Sequence, residues 1–582
     1  MMFIDEIIER LVKLGFDCGP AVIFDRPTVK VKIDYGEGEY ALVLATFPDY
    51  DSIPIFLLVE PAKFGQLAHV TRLPETITFE GGSVGQVCVN DRDSVSVNFA
   101  NPHLLVVESL ERHVALLTRL ILDPDWNWSE LLREYSTEWM RLCKPSSGRL
   151  VSAISGSAPG CYELLAPVPG AKFGLDSNYM ILGDKESLSP LSALRVSATR
   201  KERSSAGQAI VIPAKAVPFP PISNQDVKEW WIEFLRLLPD STFLKLDEVY
   251  GQKKVFQHWV VIAIELPDAG EAWISVRFRK KKKSTLPTKL ESLDGWKVDA
   301  APVEAFSEKT NVVRGGGNTA LSEAKIALIG AGSVGCEVAH KLSSCGAYNI
   351  NIIDEDIYQK ENLYRHLLGE RFIGMPKSTA LAFHLHSQFP WCKVKATQDT
   401  LLRFFRNNDP SSYDLIIIAI GSPTQELLFK NYLLQKRCRV PIIVTWVEGY
   451  GVGGHAILDV PESDGCFLCA YICQSSGKRG LSPNLNFISA NQNVATNVAG
   501  CGEQFISYQA TASAQTAIMA TELAVSYLEN RTLKSVSISW KGDGTAALEN
   551  NIELSHRYYN FGSSLIKVPL LNEDCDVCNE KC

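Results

Sequence analysis

The period of the apolar positions changes several times along this chain. Residues 3–15 place Ile4, Ile7, Ile8 and Leu11 on one face of a helix. The runs TVKVKIDY, YALVLATF and IPIFLLVE then alternate or stay apolar, which predicts a meander of strands. After SVGQVCVN the helical period returns in ESLERHVALLTRLIL and SELLREYSTEWMRL. A helix, a meander and then helices predict an α+β domain over residues 1–145. Residues 146–310 predict a second α+β domain, in which ALRVSA, QAIVIPA, VVIAIELP and AWISVRF surround the helical VKEWWIEFLRLL. This middle region carries no chemical motif. Its basic tract, Arg279 to Lys283, reads as a solvated loop. Glycines 315–317 mark the approach to a third domain, 311–582. There KIALIG, NINIID, DLIIIAI and PIIVTWV are separated by helical segments. Continuous apolar strands alternating with helices predict a doubly wound α/β sheet.

Length agrees with this division, because 582 residues exceed what one core holds. A 46% hydrophobic and 21% charged composition is that of a globular chain. The net charge of -8 argues against general or specific nucleic-acid binding. No run of about 18 apolar residues predicts a membrane span. The acidic, amphipathic start MMFIDEIIERLVKLG reads as a helix and not as a signal peptide. Fifteen cysteines without a secretory signal imply a reducing, cytoplasmic setting, where cysteines are more often catalytic or metal-bound than bridged.

Gly330-Ala331-Gly332-Ser333-Val334-Gly335 follows a strand and opens a helix. The glycines let backbone approach phosphate, and the helix N-terminus offers free N–H groups to it. Asp354 ends the next strand, where a carboxylate can accept from ribose hydroxyls. These features alone also fit a nicotinamide cofactor. The residues that follow decide the reading: Asp354-Glu355-Asp356, Asn362-Leu363-Tyr364-Arg365-His366 and Gly374-Met375-Pro376-Lys377. This series resembles the ThiF, MoeB and ubiquitin-activating enzyme family, a Rossmann-like adenylation fold. The resemblance implies ATP and Mg²⁺, with Asp354 on ribose and Asn362, Arg365 and Lys377 on phosphates. It implies a homodimer, with Arg314 as the arginine offered to the partner subunit's ATP. The family's magnesium aspartate is missing, since its strand ends Ala419-Ile420-Gly421-Ser422-Pro423; Glu426 is a weak substitute.

The cysteines add three candidate sites. Cys466-x-x-Cys469 and Cys575-x-x-Cys578 have the spacing of a structural four-thiolate Zn²⁺ site, with Cys473 and Cys582 as spares. Cys501 lies in the polar stretch NVATNVAGCGEQF before a long helical run that contains Gln509, Ala510 and Glu522. In the resembled family a comparable loop carries the cysteine that takes the activated C-terminus. Cys88, in GGSVGQVCVN, resembles the active-site segment of ubiquitin-conjugating enzymes, which also follows a meander and precedes helices. No His-Pro-Asn triplet precedes Cys88, and His69 is the nearest upstream histidine.

The order of conjugating-like domain, middle domain and adenylating domain resembles the conjugating–activating fusion proteins of CBASS antiphage operons. That resemblance implies an antiviral-defence transferase. It would adenylate a flexible protein C-terminus, carry it as a thioester on Cys501 and then Cys88, and ligate it to an amine. The implied substrate is a cGAS-like nucleotidyltransferase. The alternatives are a sulfur-carrier adenylyltransferase of thiamin or molybdopterin type, and a non-catalytic scaffold.

Overall fold

The computed structural model describes residues 2–36, 39–46, 54–89, 102–152, 160–181, 202–250, 253–267, 270–473, 476–497 and 504–578. The described residues form two compact units, one ending at Ser307 and the other beginning at Glu308.

The first unit opens with α1 (Met2–Lys13), whose Ile7 and Leu11 are fully buried. An antiparallel meander follows: β1 (Asp17–Ile23), β2 (Arg26–Gly36), β3 (Glu39–Thr46) and β4 (Ile55–Val59). Alternation on β2 buries Val29, Val31 and Ile33 and exposes the residues between them, as a one-sided sheet requires. The sheet is completed by β5 (Val70–Arg72), β6 (Thr78–Phe79) and β7 (Gly82–Val87), with β7 antiparallel to β4 and β5. Two helices come next, α2 (Pro102–Leu122) and α3 (Pro124–Leu142). Asp123 caps α3 by accepting from the Trp126 amide, and Pro124 at its first position suits the preset φ of that ring.

A second sheet holds eight strands: β8 (Leu150–Ser152), β9 (Gly160–Leu165), β10 (Tyr179–Ile181), β11 (Ser205–Ala214), β12 (Val255–Glu265), β13 (Glu271–Ser284), β14 (Lys297–Ala301) and β15 (Val303–Ala305). Helices α4 (Val227–Leu237) and α5 (Asp240–Tyr250) lie between β11 and β12 in the chain. The amphipathic α3 serves both cores. Leu131 joins the cluster of the first sheet, while Leu132, Tyr135, Trp139 and Leu142 join Ile210, Val260 and Ile274 of the second. The Trp139 indole donates to the Ser275 carbonyl at 2.9 Å, and the Trp230 indole donates to the Tyr135 hydroxyl at 2.9 Å. The tract Arg279–Lys283 is the end of β13 and not a loop. Arg279 pairs there with the buried Asp299 of β14 at 2.6 Å, while lysines 281–283 face solvent. The expected strand ALRVSA lies outside the described residues.

The second unit begins with α6 (Glu308–Arg314). Its sheet runs β18-β17-β16-β19-β20-β21-β24-β25. The strands are β16 (Lys325–Ile329), β17 (Asn349–Ile353), β18 (Lys395–Thr397), β19 (Leu415–Ile418), β20 (Ile442–Val447), β21 (Gly453–Asp459), β24 (Val536–Lys541) and β25 (Leu565–Pro569). The pairs from β18 through β20 are parallel, and those from β20 to β25 are antiparallel. Helices α7 (Ser333–Ser344), α8 (Lys377–Gln388), α9 (Leu401–Asn407) and α10 (Pro423–Gln435) alternate with the parallel strands. A short hairpin, β22 (Ala495–Asn497) and β23 (Gln504–Ile506), precedes the 20-residue α11 (Ala510–Glu529). The central parallel strands β16, β19 and β20 are buried on both faces, and this is why they read as unbroken apolar runs. Among the described residues, no helix is long and apolar enough to cross a membrane.

Since Trp139 fills a fully enclosed site with its one polar atom bonded, Trp139→Ala leaves a large cavity and an orphaned carbonyl. It should cost about 3–5 kcal/mol in the first unit. Scanning calorimetry should show the transition of that unit shifted down, and an unchanged transition would remove Trp139 from the shared core.

Candidate functional site

Strand β16 stands between β17 and β19, and its chain leaves in one direction while β19 is reached from the other. Such a switch point opens a crevice at the carboxyl ends of the strands. The glycine segment occupies it. Gly330 has a φ of +94°, and its amide donates to the Ile353 carbonyl at 2.8 Å. A Cβ on Gly330 would meet the Ala419 carbonyl oxygen at 2.6 Å, and one on Gly335 would meet the Gly330 oxygen at 1.9 Å. These two positions therefore require glycine. Gly332 caps α7 with no side-chain acceptor, which leaves the first N–H groups of the helix for a ligand.

The carboxylate of Asp354 grips this turn. It accepts from the Ala331 amide at 2.6 Å and from the Asp356 amide at 2.8 Å. Burial nonetheless holds its pKa above the usual carboxylate value. Asp356 pairs with the Lys377 ammonium at 2.7 Å, and its carbonyl accepts from the Lys377 amide at 2.9 Å. His366 is bonded from its Nε2 to the Ala331 carbonyl at 2.7 Å; burial pushes its pKa down to about 4, so the ring is neutral and Nε2 carries the proton. Asn362 accepts from the Gln359 amide at 3.0 Å, which closes the turn that carries Arg365. The Arg365 guanidinium donates to the Ile506 carbonyl at 3.4 Å and lies 5.5 Å from the centre of the Tyr508 ring. The Tyr508 hydroxyl is 2.8 Å from Ser333 Oγ at the start of α7.

The structure thus joins Gly330, Gly332, Gly335, Asp354, Asn362, Arg365 and Lys377 through a chain of contacts around one helix N-terminus. Arg314 is exposed at the end of α6 and is not among the residues joined here. Tyr508 was not foreseen, because 175 residues separate it from Ser333 and no local pattern marks an aromatic that precedes a helix. Glu426, on the first turn of α10, is 3% exposed and accepts from the Ser422 amide at 3.0 Å. Burial raises its pKa to about 7.

Cys466, Cys469, Cys575 and Cys578 converge, with sulfur atoms all within 4.8 Å of one another. Individual separations are 3.4 Å (Cys466–Cys578), 3.6 Å (Cys469–Cys578) and 4.0 Å (Cys466–Cys575). A tetrahedron with arms of about 2.3 Å has edges of about 3.8 Å, so the four sulfurs fit around one metal ion. Gly465 has a φ of +84° and lies against the Leu570 carbonyl, which brings the second cysteine pair alongside the first. Cys473 is exposed and outside this cluster, and Cys582 lies outside the described residues.

Cys88 is exposed, one residue past β7. Its amide donates to the His69 carbonyl at 2.8 Å, which continues the β5–β7 ladder by one pair. Glu134 of α3 accepts from the His69 amide at 2.8 Å and pairs with Nδ1 at 2.7 Å, while Glu130 lies 3.2 Å from Nε2. The Glu134 bond raises the His69 pKa, against the opposing effect of burial. The structure therefore brings His69 to Cys88, although 18 residues intervene in the chain. Cys501 lies outside the described residues. The flanking strands β22 and β23 pair Ala495 with Ile506 and Asn497 with Gln504.

Residues 306–557 match the ThiF family. The chain is 27% identical over 223 residues to the ATP-dependent ubiquitin transferase-like protein Cap2 of Escherichia coli, covering 36% of this chain and 35% of that one. A protein of the same name from Pseudomonas aeruginosa is 25% identical over 277 residues, 46% of this chain and 48% of its own length. The adenylyltransferase and sulfurtransferase MOCS3 of Arabidopsis thaliana is 26% identical over 182 residues, 29% of this chain and 38% of that one. The chain spans at most about half the length of the curated relatives it matches.

Glu426 generates a pH prediction. Its folded pKa, about 7, lies above the unfolded value, so between about pH 4.5 and 7 the folded state binds the extra proton. Stability should fall as pH rises through that window, by up to ~3 kcal/mol from this group. Glu426→Gln keeps the acceptor for Ser422 and should flatten that part of the stability curve. Denaturant midpoints at pH 5 and pH 8 that change equally in both proteins would refute it.

Proposed function

We propose that residues 306–557, which match the ThiF family, carry out ATP-dependent adenylation, and that this chain activates the C-terminal carboxylate of a protein and ligates it to an amine. The observation that carries the proposal is the convergence of the glycine turn, Asp354, Lys377 and Arg365 at one helix N-terminus. ATP would lie with its ribose near Asp354 and its phosphates against the α7 N–H groups, Arg365 and Lys377. Two cations and an unsatisfied helix end favour the charge that develops on the phosphates as a carboxylate oxygen attacks the α-phosphorus and pyrophosphate departs. Magnesium, when bound with ATP, supplies further neutralisation, and Arg314 would reach the ATP of a partner subunit in a homodimer.

Cys501 would then displace AMP to give a thioester, and Cys88 would accept the acyl group by thiol exchange. Both exchanges keep the acyl carbon activated, so little energy is lost before an amine attacks. Support for a conjugating role of residues 1–145 comes from the order of α1, meander, exposed Cys88, α2 and α3. His69, whose carbonyl accepts from the Cys88 amide and whose ring is held by Glu130 and Glu134, would take the place of the absent His-Pro-Asn triplet. The similarity to proteins named ubiquitin transferase-like favours ligation, and the resemblance to the conjugating–activating fusion proteins of CBASS operons makes a cGAS-like nucleotidyltransferase the proposed substrate. A second reading, sulfur-carrier adenylylation, is favoured by the match to MOCS3. It leaves His69 and Cys88 without a task.

The four-cysteine cluster would hold Zn²⁺ as a structural ion, since four protein thiolates leave no open position for chemistry. Freshly purified, reduced protein should contain one zinc per chain by elemental analysis, and Cys466→Ser with Cys575→Ser should lose it and lower the melting temperature. Metal-free wild-type protein would overturn that assignment.

Single-residue variants separate the chemical steps. Arg365→Ala and Lys377→Ala should each cut ATP–pyrophosphate exchange by about 10²-fold or more, as removal of a charge-stabilising group does. Cys501→Ala should retain exchange and form no thioester. Cys88→Ala should accumulate a reductant-sensitive adduct on the adenylation domain and make no amide product. Amide formation by Cys88→Ala at the wild-type rate would end the conjugating reading, and normal exchange in Arg365→Ala would remove that residue from the site.

A further inference from the structure

Arg365 is a half-buried cation at the end of a short 3-10 helix, residues 360–365, and neither contact described for it is with a carboxylate. A long side chain with that freedom loses considerable rotamer entropy when it must settle over a phosphate. Two contacts from a distant segment already hold it in place. The Ile506 carbonyl accepts from its Nη1, and the Tyr508 ring lies 5.5 Å from its central carbon. Tyr508 is itself fixed at both ends. Its hydroxyl bonds Ser333 Oγ on the first residue of α7, and the preceding carbonyl, that of Ser507, accepts from the Tyr450 amide at 2.6 Å. The next residue, Gln509, caps the buried helix α11. One face of the ring is thus presented to a guanidinium, while the hydroxyl sets its height over the glycine turn.

We infer that Tyr508 is a positioning residue that holds Arg365 over the phosphate-binding helix end of α7. The inference rests on the adenylation reading and deepens it, since it assigns a role to a residue in the segment that links the β22–β23 hairpin to α11. The ring would act through Arg365 by cation–π attraction, which a phenyl ring supplies nearly as well as a phenol. The hydroxyl would act by locating the ring against Ser333.

The test is nucleotide affinity, measured by calorimetric titration of the full chain with ATP and magnesium, alongside melting temperature. Tyr508→Ala should weaken ATP binding by about ten-fold, and Tyr508→Phe should restore it to within about three-fold of wild type. Arg365→Ala should weaken binding as well, and adding Tyr508→Ala to it should change nothing more, because residues acting through one another are not additive. Normal ATP affinity in Tyr508→Ala would overturn the inference while leaving adenylation standing. So would full additivity of the two alanine variants, or a Tyr508→Phe variant as weak as Tyr508→Ala at an unchanged melting temperature. Wild-type protein that binds no ATP would overturn both this inference and the adenylation reading beneath it.

Discussion

Gly335 brings helix α7 so close to the end of β16 that a Cβ there would stand 1.9 Å from the Gly330 carbonyl oxygen. A single methyl group would push the helix off the strand by more than an ångström. The rest of the proposed nucleotide site hangs on this contact. It sets the height of the α7 N-terminus and therefore of Ser333, to which Tyr508 and through it Arg365 are attached. It also leaves the Ala331 amide facing β17, where Asp354 takes it, and the Ala331 carbonyl facing His366. Interiors this closely packed do not absorb such a displacement gradually.

Charge at the site follows from that geometry. Asp354 is buried and spends its carboxylate on two backbone amides, so it stiffens the turn before any ligand arrives. His366 is kept neutral by burial and contributes a hydrogen bond without a charge. The positive charges are those of Arg365 and Lys377: Lys377 pairs with the exposed Asp356, and Arg365 is held by a carbonyl and a ring. Fixed backbone dipoles with two positioned cations beside them suit the polyphosphate proposed for this site.

Sequence order carried information wherever an interaction was local or a strand was covered on both faces. KIALIG and DLIIIAI read as parallel strands because Ile326, Leu328, Ile416 and Ile418 are buried on alternate faces of one central sheet. The glycine turn and the paired cysteines were legible because each requires fixed spacing over a few residues. Where partners are distant, the chain gave no cue. Arg279 continues a strand because Asp299 neutralises it, and a run of basic residues viewed alone suggests a loop. The double role of α3 was hidden in the same way, since neighbouring Leu131 and Leu132 face different sheets. Tyr508 and His69 acquire meaning from residues far along the chain, Ser333 in one case and Cys88 in the other. The antiparallel strands β21, β24 and β25 extend the doubly wound sheet beyond what the alternating pattern implied.

A buried acid at the end of β20 shows why titratable residues near this crevice differ in what they can do. Glu448 is 6% exposed and accepts from His455 Nε2 at 2.7 Å, the Phe487 amide at 2.6 Å and the Ile488 amide at 2.9 Å. Burial is the largest influence on His455 and lowers its pKa, so the ring is neutral with its proton on Nε2. Nδ1 must then accept, and its neighbour Ser539 Oγ, 2.8 Å away, can donate because Arg557 supplies the bond that the same oxygen accepts, at 3.1 Å. Every polar atom of the network has one consistent partner, as a buried network requires if it is not to destabilise the fold. Both oxygens of this carboxylate are engaged, by two amides and an imidazole that together take three of the about four bonds it can accept. Its effect is to pin residues 487 and 488, and Ile488 borders, with Gly449 and Trp446, a cavity of about 300 Å³ that also reaches Gly421 and Ile506. Glu448 therefore shapes the ground next to the glycine turn, while the charge offered to a ligand there is that of Arg365 and Lys377.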